Sequence, residues 1–255
     1  MPPFEPLRVN CPRNDVMKIS IITLFSEVFE PILNSSILKR AQKKGLVEFE
    51  LINLRDFGEG KHKVVDDRPY GGGAGMVLRT DILAKAVKSL DRFVIHSSNE
   101  NAKKRYKRQL ILTSASGKPY KQEIARKLSQ LDHLIIVCGH YEGVDQRFIE
   151  KYVDREISIG DYILTGGEIP AMVIVDSIVR LIPGVLEKKE ATVNESFTEN
   201  ILEGPQYTRP EEFEGSKVPK ILLSGNHQEI KKWRQEQAIK KTKKIRPDLL
   251  RDKSS

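Results

Sequence analysis

Apolar residues recur along this chain in short runs whose length and β-branched content are those of buried strands: MKISIITLF (17–25), LVEFELINL (46–54), QLILTS (109–114), HLIIVCG (133–139) and REISIG (155–160). Between them lie stretches with helical periodicity. SEVFEPILNSSILKRAQKKG (26–45) has Ser26 as a candidate N-cap and Gly45 as a stop. Thr80 and Asp81 open a second helix that runs through Leu90, and KPYKQEIARKLSQL (118–131), VDQRFIEKYV (144–153) and EIPAMVIVDSIVRLI (168–182) read as further helices. This alternation predicts an α/β fold, a mainly parallel sheet with helices on both faces.

Pro183 and Gly184 end the alternation. Residues 185–215 are polar, acidic and broken by Gly and Pro, which predicts a linker, and residues 216–255 have a helical pattern crowded with Lys and Arg. The expected organisation is a mobile N-terminal extension (1–16), a main domain (17–184), the linker (185–215) and a small helical C-terminal domain (216–255). The segment 91–108, ending in KKRYKR, reads as an exposed basic loop. Lys and Arg number 43 against 35 for Asp and Glu, a formal charge of +8 that favours a polyanionic partner. Cys11 and Cys138 form no CxxC pair, so neither a disulfide framework nor a zinc site is expected. With no run long enough to span a membrane and no signal-peptide pattern, a cytoplasmic location is expected.

Three glycine-bearing loops fall at the carboxyl ends of expected strands: SASGKP (114–119), GHYEGVD (139–145) and IGDYILTGGE (159–168). In an open parallel sheet such loops converge on one crevice, the usual ligand position. None is a Walker A sequence, and no strand leads into GxGxxG. A fourth loop, DDRPYGGGAGM (66–76), sits between a strand and a helix, with glycines that let backbone approach a flat ligand.

Taken in order, DDRPYGGGAGM, CGHYEGVD, SIGDYILTGGE, RLIPGV, YTRP and LLSGNH closely resemble the bacterial tRNA (guanine-N1-)-methyltransferase family, TrmD, of the SPOUT superfamily, from about Met17 to Leu250. The resemblance implies methylation of N1 of the guanosine immediately 3' of the anticodon, with S-adenosylmethionine as donor, which helps to keep the reading frame. It also implies a deep trefoil knot, which periodicity could not have predicted because true knots are almost absent from proteins. Matched by motif, the cofactor loops are Ser114, Ala115, Ser116 and Gly117; Gly139, Tyr141, Glu142 and Gly143; and Ile159, Gly160, Tyr162, Leu164, Gly166 and Gly167. Glu142 would pair with the ammonium group of the methionine moiety. Arg68, Tyr70, Gly71, Gly72 and Gly73, with Lys231, Lys232 and Arg234 of the tail, are assigned to the RNA substrate.

Guanine N1 carries a hydrogen, so its methylation needs a base for that proton and a cation for charge spreading onto O6. The motif match makes Arg180 the cation. The family places an Asp just before Ser-Phe in the linker, whereas this chain has Glu195 before Ser196 and Phe197. Glu195 is the expected general base, with an arm about one carbon-carbon bond longer, a change of the order that can cost about a hundredfold. The resemblance further implies a homodimer whose active site joins the cofactor loops of one subunit to the linker and tail of the other. It also implies a Mg2+ requirement, although no dedicated carboxylate cage is legible and no metal ligands are assigned. A SPOUT enzyme acting at another RNA site and a catalytically impaired RNA-binding relative remain as alternatives.

Overall fold

A computed structural model describes residues 16–90, 106–187 and 195–250. The expected leader up to residue 15, most of the 91–108 loop, and residues 188–194 and 251–255 lie outside the described residues. The chain divides into two compact units that part between Glu187 and Lys188.

In the first unit five parallel strands form one sheet, β1 (Met17–Thr23), β2 (Val47–Asn53), β5 (Arg108–Pro119), β6 (His133–Cys138) and β7 (Arg155–Ser158), in the order β2-β1-β6-β5-β7. Every residue of β6 is buried, as expected of a central strand covered on both faces. Its side chains alternate between two cores. Leu134, Ile136 and Cys138 meet α2 (Ser36–Lys43), α4 (Gln122–Leu128) and α6 (Glu168–Val179), whereas Ile135 and Val137 meet α3 (Thr80–Ser89) and α5 (Gln146–Tyr152). The helices therefore cover both faces, and the period-two pattern of each strand decides which core a residue joins. Among the described residues no helix is long and apolar enough to cross a membrane.

The sequence reading needs correction at three places. The single helix expected over 26–45 is a 3-10 turn (Ser26–Val28), α1 (Glu30–Leu33) and α2. Pro31 sits in the first turn of α1, and Ser36 adopts φ +42°, so the chain turns sharply before α2. Ser26 caps nothing; its hydroxyl is buried without a hydrogen-bond partner among the described residues. Second, SASGKP is strand rather than loop, because β5 continues past a register break between Thr113 and Lys118 and pairs again with β7. Third, the 66–76 loop joins two short antiparallel strands, β3 (Asp66–Asp67) and β4 (Val77–Leu78).

At the amino-terminal ends of the central strands runs a polar file. Lys18 Nζ lies 2.9 Å from Glu50 Oε2, the Ser20 hydroxyl donates to the same oxygen at 2.9 Å, and Ser20 Oγ lies 2.8 Å from Nε2 of the fully buried His133. Since Ser20 gives its proton to Glu50, the His133 Nε2–H must donate to Ser20, which leaves Nδ1 as a lone pair without a partner among the described residues. Burial, helped by the Arg108 and Lys18 charges, pushes the His133 pKa down to about 4. Between its unfolded value near 6.5 and that figure the unfolded chain binds the extra proton. Stability from neutral His133 is therefore complete above about pH 6.5 and falls as pH drops toward 4, by on the order of 3 kcal/mol. Denaturant melts of the parent and His133→Gln across this range check it; parallel curves would refute it.

The second unit carries a short hairpin, β8 (Glu212–Phe213) with β9 (Ser216–Lys217), then α7 (Lys220–Leu223) and α8 (His227–Ile245). Asn226 caps α8 by accepting the Glu229 N–H at 3.3 Å. The buried Thr242 hydroxyl donates to Ala238 O at 2.7 Å and accepts the Leu202 N–H at 2.8 Å, fastening the 195–204 segment to the helix.

Candidate active site

The carboxyl ends of β5, β6 and β7 open into a crevice of about 550 Å3. Ser114, Ala115 and Ser116 line it from the bulged part of β5; Gly139, Tyr141, Glu142 and Gly143 from the loop after β6; Ile159, Gly160, Tyr162, Leu164, Gly166 and Gly167 from the loop after β7. Stretches far apart in sequence meet here because parallel strands all deliver their carboxyl ends to one edge. Gly117 is the exception. A Cβ there would come within 2.5 Å of Ile157 N, so this glycine serves the close approach of β5 to β7 rather than the crevice wall.

The loops are locked by backbone. Gly167 N–H donates to Gly139 O at 2.7 Å, and the Thr113 hydroxyl donates to Val137 O and Gly167 O at 3.3 and 3.2 Å. A Cβ on Gly139 would stand 2.6 Å from Thr113 O, and one on Gly167 the same distance from Gly139 N, so neither position admits a side chain without backbone movement. Tyr141 adopts φ +58°, an unfavourable conformation for a tyrosine, held where its N–H donates to His140 Nδ1 at 3.0 Å. The His140 ring packs on Phe25 and Tyr141, with centroids 5.2 and 4.9 Å apart. Beneath, the buried Glu168 accepts the Thr23 hydroxyl at 2.8 Å, tying the end of β1 to the first turn of α6. This carboxylate is structural. Burial, with Glu168 close by, raises the Cys138 thiol well above its ordinary range and makes it an inert neighbour. Sequence reasoning missed His140, although it stands inside GHYEGVD, and missed Thr113, whose only signal was its place at a strand end.

Glu142 is exposed, and its side chain lies against Gly75. The 66–76 loop is rooted on the same segment: Glu142 N–H donates to Met76 O, Leu78 N–H to Gly143 O and Asp145 N–H to Leu78 O, all near 3.0 Å. Arg68, Tyr70 and Gly71 to Gly73 do not line the crevice; they form the projecting tip of that loop, with Tyr70 96% exposed. Arg147 bonds to Asp145 and holds its carboxyl below the usual range at the start of α5.

Arg180 follows the last residue of α6, whereas Gly166, Gly167 and Pro170 at the opposite end of that helix line the crevice. Arg180 lies ten residues along the chain from Pro170, about 15 Å at the usual helical rise. Glu195 belongs to the second unit, half-buried on a turn in which Thr198 N–H donates to its carbonyl at 3.2 Å and Glu203 N–H to Ser196 Oγ at 2.9 Å. Lys231, Lys232 and Arg234 are exposed on α8. No group of three or more His, Cys, Asp or Glu side chains suited to a metal occurs among the described residues.

The crevice thus offers backbone donors and acceptors, apolar walls from Leu112, Val144, Ile159, Leu164 and Pro170, and two carboxylates, the exposed Glu142 at its rim and Glu156. That combination suits a flat heteroaromatic group joined to a cation. The family model described as tRNA (Guanine-1)-methyltransferase TrmD matches residues 17–252. Relatives include proteins of Dictyoglomus turgidum, 54% identical over 92% of this chain and 90% of their own length, Bacillus velezensis (50%; 92% and 93%) and Geotalea uraniireducens (51%; 92% and 91%). Each of these is named tRNA (guanine-N(1)-)-methyltransferase.

Proposed function

The chain belongs to the TrmD family of tRNA (Guanine-1)-methyltransferases, and from that premise we propose that it methylates N1 of the guanosine immediately 3' of the anticodon, working in the cytoplasm. S-adenosylmethionine, the methyl donor of such an enzyme, supplies an electrophilic methyl group. The reading rests on one observation, the meeting of the 114–116, 139–143 and 159–167 stretches in a single backbone-rich crevice with Glu142 at its rim. The crevice wall of Gly139, Gly143, Gly160, Gly166 and Gly167, with backbone free to approach a ligand, fits a cradle for a flat adenine, and the Glu142 carboxylate fits the donor's ammonium group. Gly166 pairs with His140 and Gly167 with Gly139, so the loop after β7 returns onto the loop after β6, a contact compatible with the deep knot that the family resemblance implies.

The residues divide the work. Glu195 takes the proton from N1 as the nitrogen attacks, and the Arg180 guanidinium faces O6, where negative charge gathers. The length of α6 holds Arg180 away from the crevice its own chain lines, so its role is played at the crevice of a second copy. A homodimer is supported further by the apolar side chains Ile163, Ile169 and Val173, which are 82, 55 and 43% exposed beside the crevice and along α6. No group of three or more His, Cys, Asp or Glu side chains among the described residues forms a cage for the Mg2+ implied by resemblance.

The decisive experiment supplies the chain with S-adenosylmethionine and unmodified tRNA and identifies the methylated nucleoside and its position by mass spectrometry of digests. 1-Methylguanosine next to the anticodon is expected; another base or position would overturn the reading. Arg180→Lys should lower kcat by about a hundredfold or more with donor affinity unchanged, since a lysine cannot present the planar fork. Rapid-quench kinetics with calorimetry of donor binding checks this, and unimpaired turnover would remove Arg180 from the chemistry.

A further inference from the structure

The second unit contains a cleft of about 870 Å3, lined by residues 205–211 and by Val218, Leu222, Leu223 and Arg234. It is a feature of this unit alone, and the chemistry above makes no use of it. Its walls are fixed locally. A Cβ on Gly204 would lie 3.2 Å from Arg234 O, so the strand of chain entering residues 205–211 runs directly on α8, and Val218 N–H donates to Glu211 O at 2.9 Å to close the far side.

The lining joins three kinds of surface. Tyr207, 48% exposed, has the half-buried Trp233 behind it, ring centroids 6.3 Å apart and tilted by 52°, so one ring edge packs on the unit while much of the ring remains open to a partner. Leu222 and Leu223 supply an apolar floor, Leu223 being 53% exposed. Arg209 and Arg234 stand exposed at the edge, and neither is joined in an ion pair among the described residues. An aromatic platform, an apolar floor and two planar cations are the chemistry that receives a single unstacked nucleotide: base on ring, phosphates on guanidinium groups. The volume lies within the roughly 300–1,000 Å3 of ordinary small-molecule sites, ample for one nucleotide.

We propose that this cleft is a nucleotide subsite, in which one unpaired base of the RNA substrate stacks on Tyr207 while its flanking phosphates meet Arg209 and Arg234. The proposal rests on the tRNA reading above and adds to it. The base held here is not the one methylated, because that base must reach the donor in the crevice of the first unit. Arg234 was assigned to RNA from its basic surroundings; Tyr207 and Arg209 were assigned to nothing.

The test is fluorescence anisotropy with a labelled anticodon stem-loop RNA, using the full chain, Tyr207→Ala, Tyr207→Phe and Arg209→Ala, and stem-loops carrying one abasic nucleotide at each loop position in turn. Tyr207→Ala should weaken binding by about ten- to a hundredfold, with Tyr207→Phe close to the parent. Arg209→Ala should reduce the slope of log affinity against log salt by about one. At one loop position the abasic RNA should bind the parent chain more weakly by a similar factor, and Tyr207→Ala should show no additional loss there. Melting curves and donor titrations confirm that the variants fold. Affinity of Tyr207→Ala within about twofold of the parent, or abasic penalties identical in both proteins at every position, would overturn the subsite, as would a cleft that proved to hold a peptide and left RNA affinity unmoved. Methyl transfer by the parent chain is measured separately. Its failure beside a Tyr207-dependent affinity would sink the guanine reading and leave the subsite standing.

Discussion

Glu195→Gln is expected to lower the single-turnover rate of tRNA methylation by roughly a hundred- to ten-thousandfold, the usual worth of a positioned general base. Glutamine keeps the length and shape of the side chain, so RNA and donor affinities should stay near the parent values and the loss should appear in the chemical step. The carboxylate sits on a turn pinned by the Ser196 and Thr242 hydroxyls through Glu203 and Leu202, which limits how far a substitution can displace it. Glu195→Asp introduces the residue expected of the family at this place and shortens the reach by about one carbon-carbon bond. An aspartate variant within a few-fold of the parent would show that the turn adjusts; a rate lowered about a hundredfold would show that the arm length is set by this chain's own loop. A glutamine variant as fast as the parent would remove Glu195 from the mechanism.

Mixed dimers give the second large effect. Glu142→Lys, an exposed change at the crevice rim, should abolish donor binding by setting a cation against the donor's ammonium group. Glu195→Gln leaves the crevice intact and removes the base. Each homodimer should be nearly inactive. If crevice and base come from different subunits, subunit exchange forms heterodimers in which one site is doubly impaired and the other complete. A random equal mixture then holds one complete site in four, so activity should rise from near nothing to about a quarter of the parent's. If both groups act within one chain, no combination completes a site and mixing changes nothing. Initial rates measured before and after exchange separate the two, and absence of recovery would dismiss the composite site.

Strand positions were legible because both faces of the sheet are buried, and a central strand such as HLIIVC then has no polar position to blur its pattern. The crevice-lining glycines were legible as a group for a related reason: loops at strand ends converge wherever the strands are parallel. Failures came where local sequence carries no account of the neighbour. Gly117 has the same appearance as Gly139, yet one serves the approach to β7 and the other the crevice, a difference fixed by the register break after Thr113. Ser26 looked like a cap, but the chain at Phe25 leaves its hydroxyl buried instead. Thr113 acts through the carbonyls of Val137 and Gly167, and the His140 ring packs on Phe25, partners distant in sequence that no spacing rule reveals. Tyr207 was visible only as part of YTRP; its pairing with Trp233 and the cleft beside it arise from the way residues 204–211 lie on α8.

By itself the sequence determined an α/β chain with a parallel sheet, a basic C-terminal segment and ordered motifs that resemble one family of RNA methyltransferases, because periodicity, charge and short motifs are local properties. Tertiary structure decided which stretches share a wall, which glycines have no room for a Cβ, where a buried imidazole loses its affinity for protons, and that α6 sets Arg180 a helix length away from its own crevice. Those are facts of distance between residues far apart in the chain, and such distances exist only once the strands have paired.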